Sequence, residues 1–166
     1  LRSLVGSEMC IRDSFVADAN VRTLLEVDTL LVMGLMLMTG YTSLLRYKHK
    51  AYATAEDYAL IGRALPAGLA EPAAAALADP IARGRRIHLN HLENVVPFLV
   101  LSGLYALTEP DHAWFAGLLW AFLVIRVAYT VFYSRGMQPH RTIAFSLGVL
   151  IQSIMAVLTL VAACTG

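Results

Sequence analysis

The hydrophobic positions of this chain gather into four long runs, at 24–45, 89–107, 113–133 and 142–163. Each is close to the roughly 20 mostly apolar residues that an α-helix needs to cross a bilayer. Little is left over for a soluble domain. The segments TEPDH and SRGMQPH, which join the second run to the third and the third to the fourth, are short enough that sequential helices must pack as antiparallel neighbours. The pattern therefore predicts an all-α membrane protein, an up-down bundle of four transmembrane helices in one domain over 15–166. Small residues at Gly34 and Gly40 in the first run, and at Ser146, Gly148, Ser153 and Ala156 in the fourth, are positions where helices can approach closely in lipid.

Composition strengthens the membrane reading: 58% of the 166 residues are hydrophobic, well above the soluble norm. The formal charge of +1 does not suggest nucleic acid as a partner, because the basic residues form no patch interleaved with aromatics. Their placement gives orientation instead. Arg46, Lys48, Lys50, Arg63, Arg83, Arg85 and Arg86 lie between the first two runs and Arg135 between the last two, whereas the turn at 108–112 and the C-terminal tail carry none. By the positive-inside rule the first and third connections are cytoplasmic and both termini face the periplasm or lumen. A multi-pass protein of a bacterial inner membrane is expected. The first connection contains AYATAEDYALIGRALP and then EPAAAALADP, a short helix followed by loop.

Residues 1–14 are excluded from the fold, since LVGSEMCIRDS at 4–14 reads as the translation of a transposon sequencing adapter. Cys10 goes with it. Cys164 alone remains, so neither an intrachain disulfide nor a cysteine metal site is expected, and no metal is implied elsewhere.

The second run opens with RRIHLNHLENVVP, polar where lipid should exclude polarity. Arg86, Asn90 and Glu93 are spaced 4 and 3 apart and share one helical face. A carboxylate in a span costs roughly 2.5–3.5 kcal/mol on insertion scales, so Glu93 needs a partner or a water-filled cavity. Arg126 in the third run offers a partner, and it shares a face with Tyr129 and Tyr133. A buried Arg126–Glu93 pair would be a structural tie, because arginine does not deprotonate to act as a base. The tyrosines read either as interface anchors or as hydroxyls facing a polar ligand. Arg141, in the PHRT segment that opens the fourth helix, reads either as a snorkelling headgroup arginine or, with Arg46 and Arg86, as part of a cluster from three helix ends suited to a polyanion.

The segments RRIHLNHLENVVPF, RVAYTVFY and QPHRTIAF, with LRYKHKAYATAED after the first run, resemble the membrane-associated proteins of eicosanoid and glutathione metabolism, the MAPEG family, and within it the microsomal glutathione transferase branch. The resemblance runs from about Leu24 to the C-terminus. It implies a homotrimer with glutathione bound between neighbouring subunits near the cytoplasmic face. Carried over by position, Arg46, Arg86, His88, Asn90, Glu93, Tyr129 and Tyr133 are the glutathione contacts and Arg141 stabilises the thiolate. Arg126 is structural or ligand-adjacent, with Asn94 and Thr142 as weaker candidates. The co-substrate would be a hydrophobic small molecule or lipid electrophile arriving from the bilayer.

Leu89 matches the transferase branch, where the prostaglandin E synthase branch has arginine, and Phe145 stands where that synthase has tyrosine. His91 replaces an acidic residue, and Ala55 a proline. A general conjugating or peroxide-reducing role is favoured over a prostaglandin-specific one. The alternative within the family is a non-catalytic membrane protein that presents lipid to a partner. An ion-coupled carrier would need inverted repeats or broken helices, which the sequence does not show.

Overall fold

The computed structural model describes residues 18–49 and 80–165. The adapter-like stretch with Cys10, and the expected short helix and loop of the first connection, lie outside these residues. Four helices are described: α1 (Ala19–His49), α2 (Pro80–Ala106), α3 (His112–Ser134) and α4 (Gln138–Thr165). At 1.5 Å per residue each is at least about 34 Å long, enough to cross the hydrocarbon core.

The helix ends are set by local chemistry. Asp18 precedes α1, and its carboxylate accepts from the backbone N–H of Asn20 at 2.7 Å and of Val21 at 3.2 Å. Asp111 caps α3 by accepting from Trp114 N–H at 3.1 Å. Both caps satisfy donors that the first turn of a helix leaves open. The two starts are tied together, because Asn20 Nδ2 donates to Pro110 O at 2.8 Å and Asn20 Oδ1 lies 2.9 Å from His112 Nδ1. α2 begins at Pro80, where a missing N–H costs nothing, so Arg85 and Arg86 already lie within the helix.

The turn from α3 to α4 is a Schellman motif. Gly136 N–H bonds Tyr133 O at 3.1 Å and Met137 N–H bonds Phe132 O at 2.9 Å, with Gly136 at φ 72°. Arg83 Nη1 donates to Ser134 O at 3.2 Å, placing a cation at the negative end of α3.

Around the bundle the helices do not follow chain order. α1 packs on α2 and α3, α4 packs on α2 and α3, and α2 meets α3 across the centre; α1 and α4 do not touch among the described residues. The central contact is a stack of Phe98 on Phe122, with centroids 3.7 Å apart and planes 1° from parallel. Val27, Leu31, Val95, Phe115, Leu119 and Met155 complete the core around it. The outside is equally apolar. Met36, Leu37, Val100, Val124, Val157 and Leu160 all point outward, a surface that water would not tolerate but lipid does. By length and composition, α3 and α4 are each apolar enough to span a membrane.

Within one chain, and among the described residues, neither Gly34 nor Gly40 is a close-approach position, because a Cβ at either would meet nothing within 4 Å. The close approach is at Gly84, where a Cβ would stand 3.0 Å from Leu45 Cδ1 and pin α2 to α1. A Cβ at Gly148 of α4 would stand 3.7 Å from the Phe122 ring, an ordinary contact. Shape at each contact decides which small residue is used, and sequence spacing does not carry that information.

Because Gly136 holds a left-handed conformation, Gly136→Ala should cost about 1–2 kcal/mol. Thermal denaturation of the detergent-solubilised protein should show a lower midpoint, and an unchanged midpoint would show that the turn tolerates a Cβ.

Candidate functional site

Two faces of α2 carry the polar groups, and α3 and α4 supply their counterparts. Arg126, at 2% exposure, is the largest fully buried side chain. The pair expected between Arg126 and Glu93 does not form. Arg126 Nη2 instead donates to Asn90 Oδ1 at 3.1 Å and Asn90 O at 3.4 Å. The reason is angular: three residues along a helix turn the face by about 60°, so the helix that aims Asn90 at α3 turns Glu93 outward, where it is exposed. Asn94 Nδ2 donates to the same Asn90 carbonyl at 2.8 Å. One turn on, Pro97 lies within α2 and has no N–H for the carbonyl of Glu93, which loosens the backbone beside the polar stripe.

Tyr129 and Tyr133 extend the network towards the basic end of the bundle. The Arg126 guanidinium lies 4.6 Å from the Tyr129 ring centroid, and the two tyrosine rings are 5.6 Å apart. Tyr133 is the junction. Its hydroxyl accepts from Arg86 Nε at 3.3 Å, while the guanidinium of Arg141 lies 4.6 Å from its ring centroid. One side chain of α3 thereby receives cations from α2 and α4, and the ring's quadrupole faces the second of them.

The remaining candidates divide between two openings. Arg46 lines a cavity of about 450 Å³ between α1 and α2, together with Arg86 and His88. The Nδ1 atom of His88 is buried with no hydrogen-bond partner among the described residues. Asn90, Glu93 and Asn94 line a groove of about 460 Å³ between α2 and α4, with Phe145, Gln152 and Ser153 opposite. Within one chain Arg46 and Glu93 do not share an opening. Thr142 is exposed and its hydroxyl donates back to Gln138 O at 3.3 Å, so it takes no part in the network. Among the described residues no cluster of His, Cys, Asp and Glu is arranged to hold a metal ion.

The polar groups of α2, α3 and α4 lie within the stretch that sequence comparison matches. The pattern of the MAPEG family matches residues 26–161. Human microsomal glutathione S-transferase 1 is 33% identical over 123 residues, covering 72% of this chain and 76% of the relative. The Sus scrofa protein of the same name is 34% identical over 123 residues, with the same coverage. Human prostaglandin E synthase is 34% identical over 132 residues, covering 77% of this chain and 80% of the relative. The chain belongs to the MAPEG family.

As a MAPEG protein it is membrane-associated, and the outward apolar surface is the one its lipid meets. Three features of the MAPEG bundle escape a reading by spacing. Gln152 faces Glu93 across the groove, and its only signal is an amide in the middle of an apolar run. Asp28 of α1 accepts from Ser102 Oγ at 2.9 Å, and its signal is a carboxylate inside a span. His91 Nε2 lies 2.7 Å from Thr130 Oγ1, a contact that no spacing along either helix announces.

The geometry ranks two substitutions. Asn90→Leu leaves the buried Arg126 with only a backbone acceptor and should cost about 2–3 kcal/mol, whereas Tyr133→Phe removes one partly exposed hydrogen bond and should cost about 1 kcal/mol. Paired thermal melts in one detergent test the order. Equal losses would show that Asn90 does not hold Arg126.

Proposed function

We propose that this MAPEG protein is a membrane-bound glutathione transferase that conjugates glutathione to hydrophobic electrophiles, with Arg141 stabilising the thiolate. The observation that carries the reading is the convergence of Arg86 and Arg141 on Tyr133. Two guanidinium groups at one membrane face suit a ligand with several anionic groups. Arg46, Arg86 and His88 hold the carboxylates of the tripeptide, and Glu93, exposed in the α2–α4 groove, receives its free amino group. Asn90, Tyr129 and Tyr133 supply further polar contacts, Arg126 braces Asn90, and Asn94 and Thr142 stand at the margin. Because Arg46 and Glu93 open on different sides of one chain, a homotrimer completes the site by setting α1 of one copy against the α2–α4 groove of the next. The long first connection lies on the cytoplasmic side, where glutathione is available.

The chemical demand is modest. A thiol of pKa about 8.5 is about 3% ionised at neutral pH, and lowering that pKa by two units gives roughly 25-fold more nucleophile. One guanidinium in a partly dehydrated pocket is enough, since it donates charge-assisted hydrogen bonds to the thiolate and not to the thiol. The thiolate sulfur then attacks the electrophilic carbon while the leaving group departs with the bonding pair. With a lipid hydroperoxide it attacks the terminal oxygen instead. A second glutathione then releases the disulfide, leaving an alcohol and water.

Arg141→Ala should retain glutathione binding by calorimetry, lose the thiolate absorbance, and conjugate an aryl halide about 25-fold more slowly at neutral pH. The deficit should shrink as pH rises towards the ordinary thiol pKa, because hydroxide then does what the cation did. Unchanged turnover would remove Arg141 from the chemistry. A wild-type protein that neither binds glutathione nor conjugates the halide would overturn the whole reading.

A further inference from the structure

The seam between α1 and α3 changes character along its length. Near the basic end of the bundle it opens into a cavity of about 280 Å³ whose lining includes Tyr41 of α1, Arg83 of α2 and Ser134 of α3. Arg83 reaches this cavity with its charge and not only its stem, because Nη1 donates at 3.2 Å to the carbonyl of Ser134, itself in the lining. A guanidinium carries five N–H groups, and this bond uses one of them. Tyr41 brings the outer edge of its ring across to α2, where a Cβ at Gly84 would stand 3.7 Å from its Cε1 atom. An arginine and a phenol therefore share one recess.

Further into the bundle the same three helices enclose a second, almost wholly aliphatic groove of about 250 Å³. Each helix carries the lining on by one turn: Met38 of α1 is followed by Tyr41, Val131 of α3 by Ser134, and His91 of α2 is preceded by Ile87. Residues three or four apart stack on one helical face, so the polar cavity stands directly over the apolar groove. From Leu30 to Tyr41 on α1, and from Leu123 to Ser134 on α3, the seam runs about 16 Å along the helix. That is the depth of one leaflet, half of a hydrocarbon core roughly 30 Å thick.

Depth and charge narrow the occupant. Ser134 ends α3 and Tyr41 is 43% exposed, which puts the cavity at headgroup level, where tyrosines gather, and the groove among the acyl chains. Asp18, Glu26, Asp28, Glu109 and Asp111 lie at the opposite end of the bundle, and Glu93 opens on the α2–α4 groove. Among the described residues no carboxylate answers Arg83. The cavity also shares no lining residue with the opening of Arg46, Arg86 and His88. A basic pocket between transmembrane helices suits an anionic lipid headgroup, and a groove beneath it suits the tail. Exposed Leu30, Leu37, Val127 and Val131 line the groove, so that tail enters laterally from the bilayer.

We propose that the α1–α3 seam of this protein binds one anionic glycerophospholipid, with its phosphate on Arg83 and Tyr41 and one acyl chain along the groove. The site lies within one chain and stands independently of the glutathione reading.

Head and tail are tested separately. Calorimetry on the full chain in an uncharged detergent should show dioctanoyl phosphatidylglycerol binding about tenfold tighter than dioctanoyl phosphatidylcholine, the discrimination expected of one charge-assisted contact, with equimolar glycerophosphate failing to compete. Arg83→Gln should remove the preference between the two lipids. Gly34 lines the groove and a Cβ there would meet nothing within 4 Å, so Gly34→Leu fills the groove without disturbing the core and should weaken both lipids. Glutathione binding by Gly34→Leu, and its mass by sedimentation, should be unchanged. Where Arg83→Gln does not fold, Gly34→Leu decides. Equal binding of the two lipids by the wild type, full competition by glycerophosphate, or undiminished lipid binding by Gly34→Leu would overturn the proposal. A changed mass for Gly34→Leu would also overturn it, by giving the groove to a second copy of the chain.

Discussion

A single cation buried between two helices organises this protein. Arg126 enters the middle of the bundle from α3 and is received by the side chain and backbone of Asn90 on α2. In lipid there is no water to offer instead, so the two helices have one favourable rotation relative to each other. With that rotation set, Phe98 meets Phe122 face to face on the same contact. His91 meets Thr130, and Tyr129 and Tyr133 are aligned along the axis towards the basic end. Dispersion between the rings and hydrogen bonds between the polar groups then reinforce one register, which in a membrane is most of what holds helices together.

The same constraint explains why the polar face of α2 is divided. Asn90 is consumed by Arg126, and Glu93 one turn away is left facing outward. A carboxylate directed away from its own bundle is costly in lipid unless something polar comes to it. Gln152 and Ser153 across the groove are polar but uncharged. The cations lie around the helix: Arg86 on Tyr133, Arg141 on the same ring, and Arg46 in the opening beyond. The single chain thus displays its carboxylate and its cations in different openings.

Much of this was legible because a bilayer imposes a length. Four apolar runs of helical length leave few architectures open, and the short turn makes neighbours of α3 and α4, whereas α2 and α3, also joined by a short turn, meet across the centre. Polar residues within or at the mouths of those runs are rare enough that Arg86, Asn90, Glu93, Arg126 and Arg141 stand out on sight. Pairing among them was not legible. Glu93 and Asn90 lie within one turn of each other as possible partners for Arg126, and choosing between them needs the rotation of α2, which spacing alone does not give. The ring order of the helices was likewise hidden, since chain order does not say that α1 would pack on α3 while missing α4. Gly34 and Gly40 meet no neighbour within one chain for a related reason: a glycine permits close approach but does not bring a neighbour. Asp28 and Ser102 are 74 residues apart in sequence, and no local pattern joins them.

The three-residue link from Ser134 to Gln138 acts as a phase setting. Its two crossed hydrogen bonds and the left-handed Gly136 leave α4 no freedom to start a residue early or late. One inserted residue there would advance α4 by about 100° and 1.5 Å. Arg141 would swing off the Tyr133 ring into the bilayer, while Gly148 would leave the hollow above Phe122 and present a bulkier neighbour to it. Insertions that most surface loops absorb would here turn one helix away from its neighbours, so the length of this turn decides where Arg141 stands.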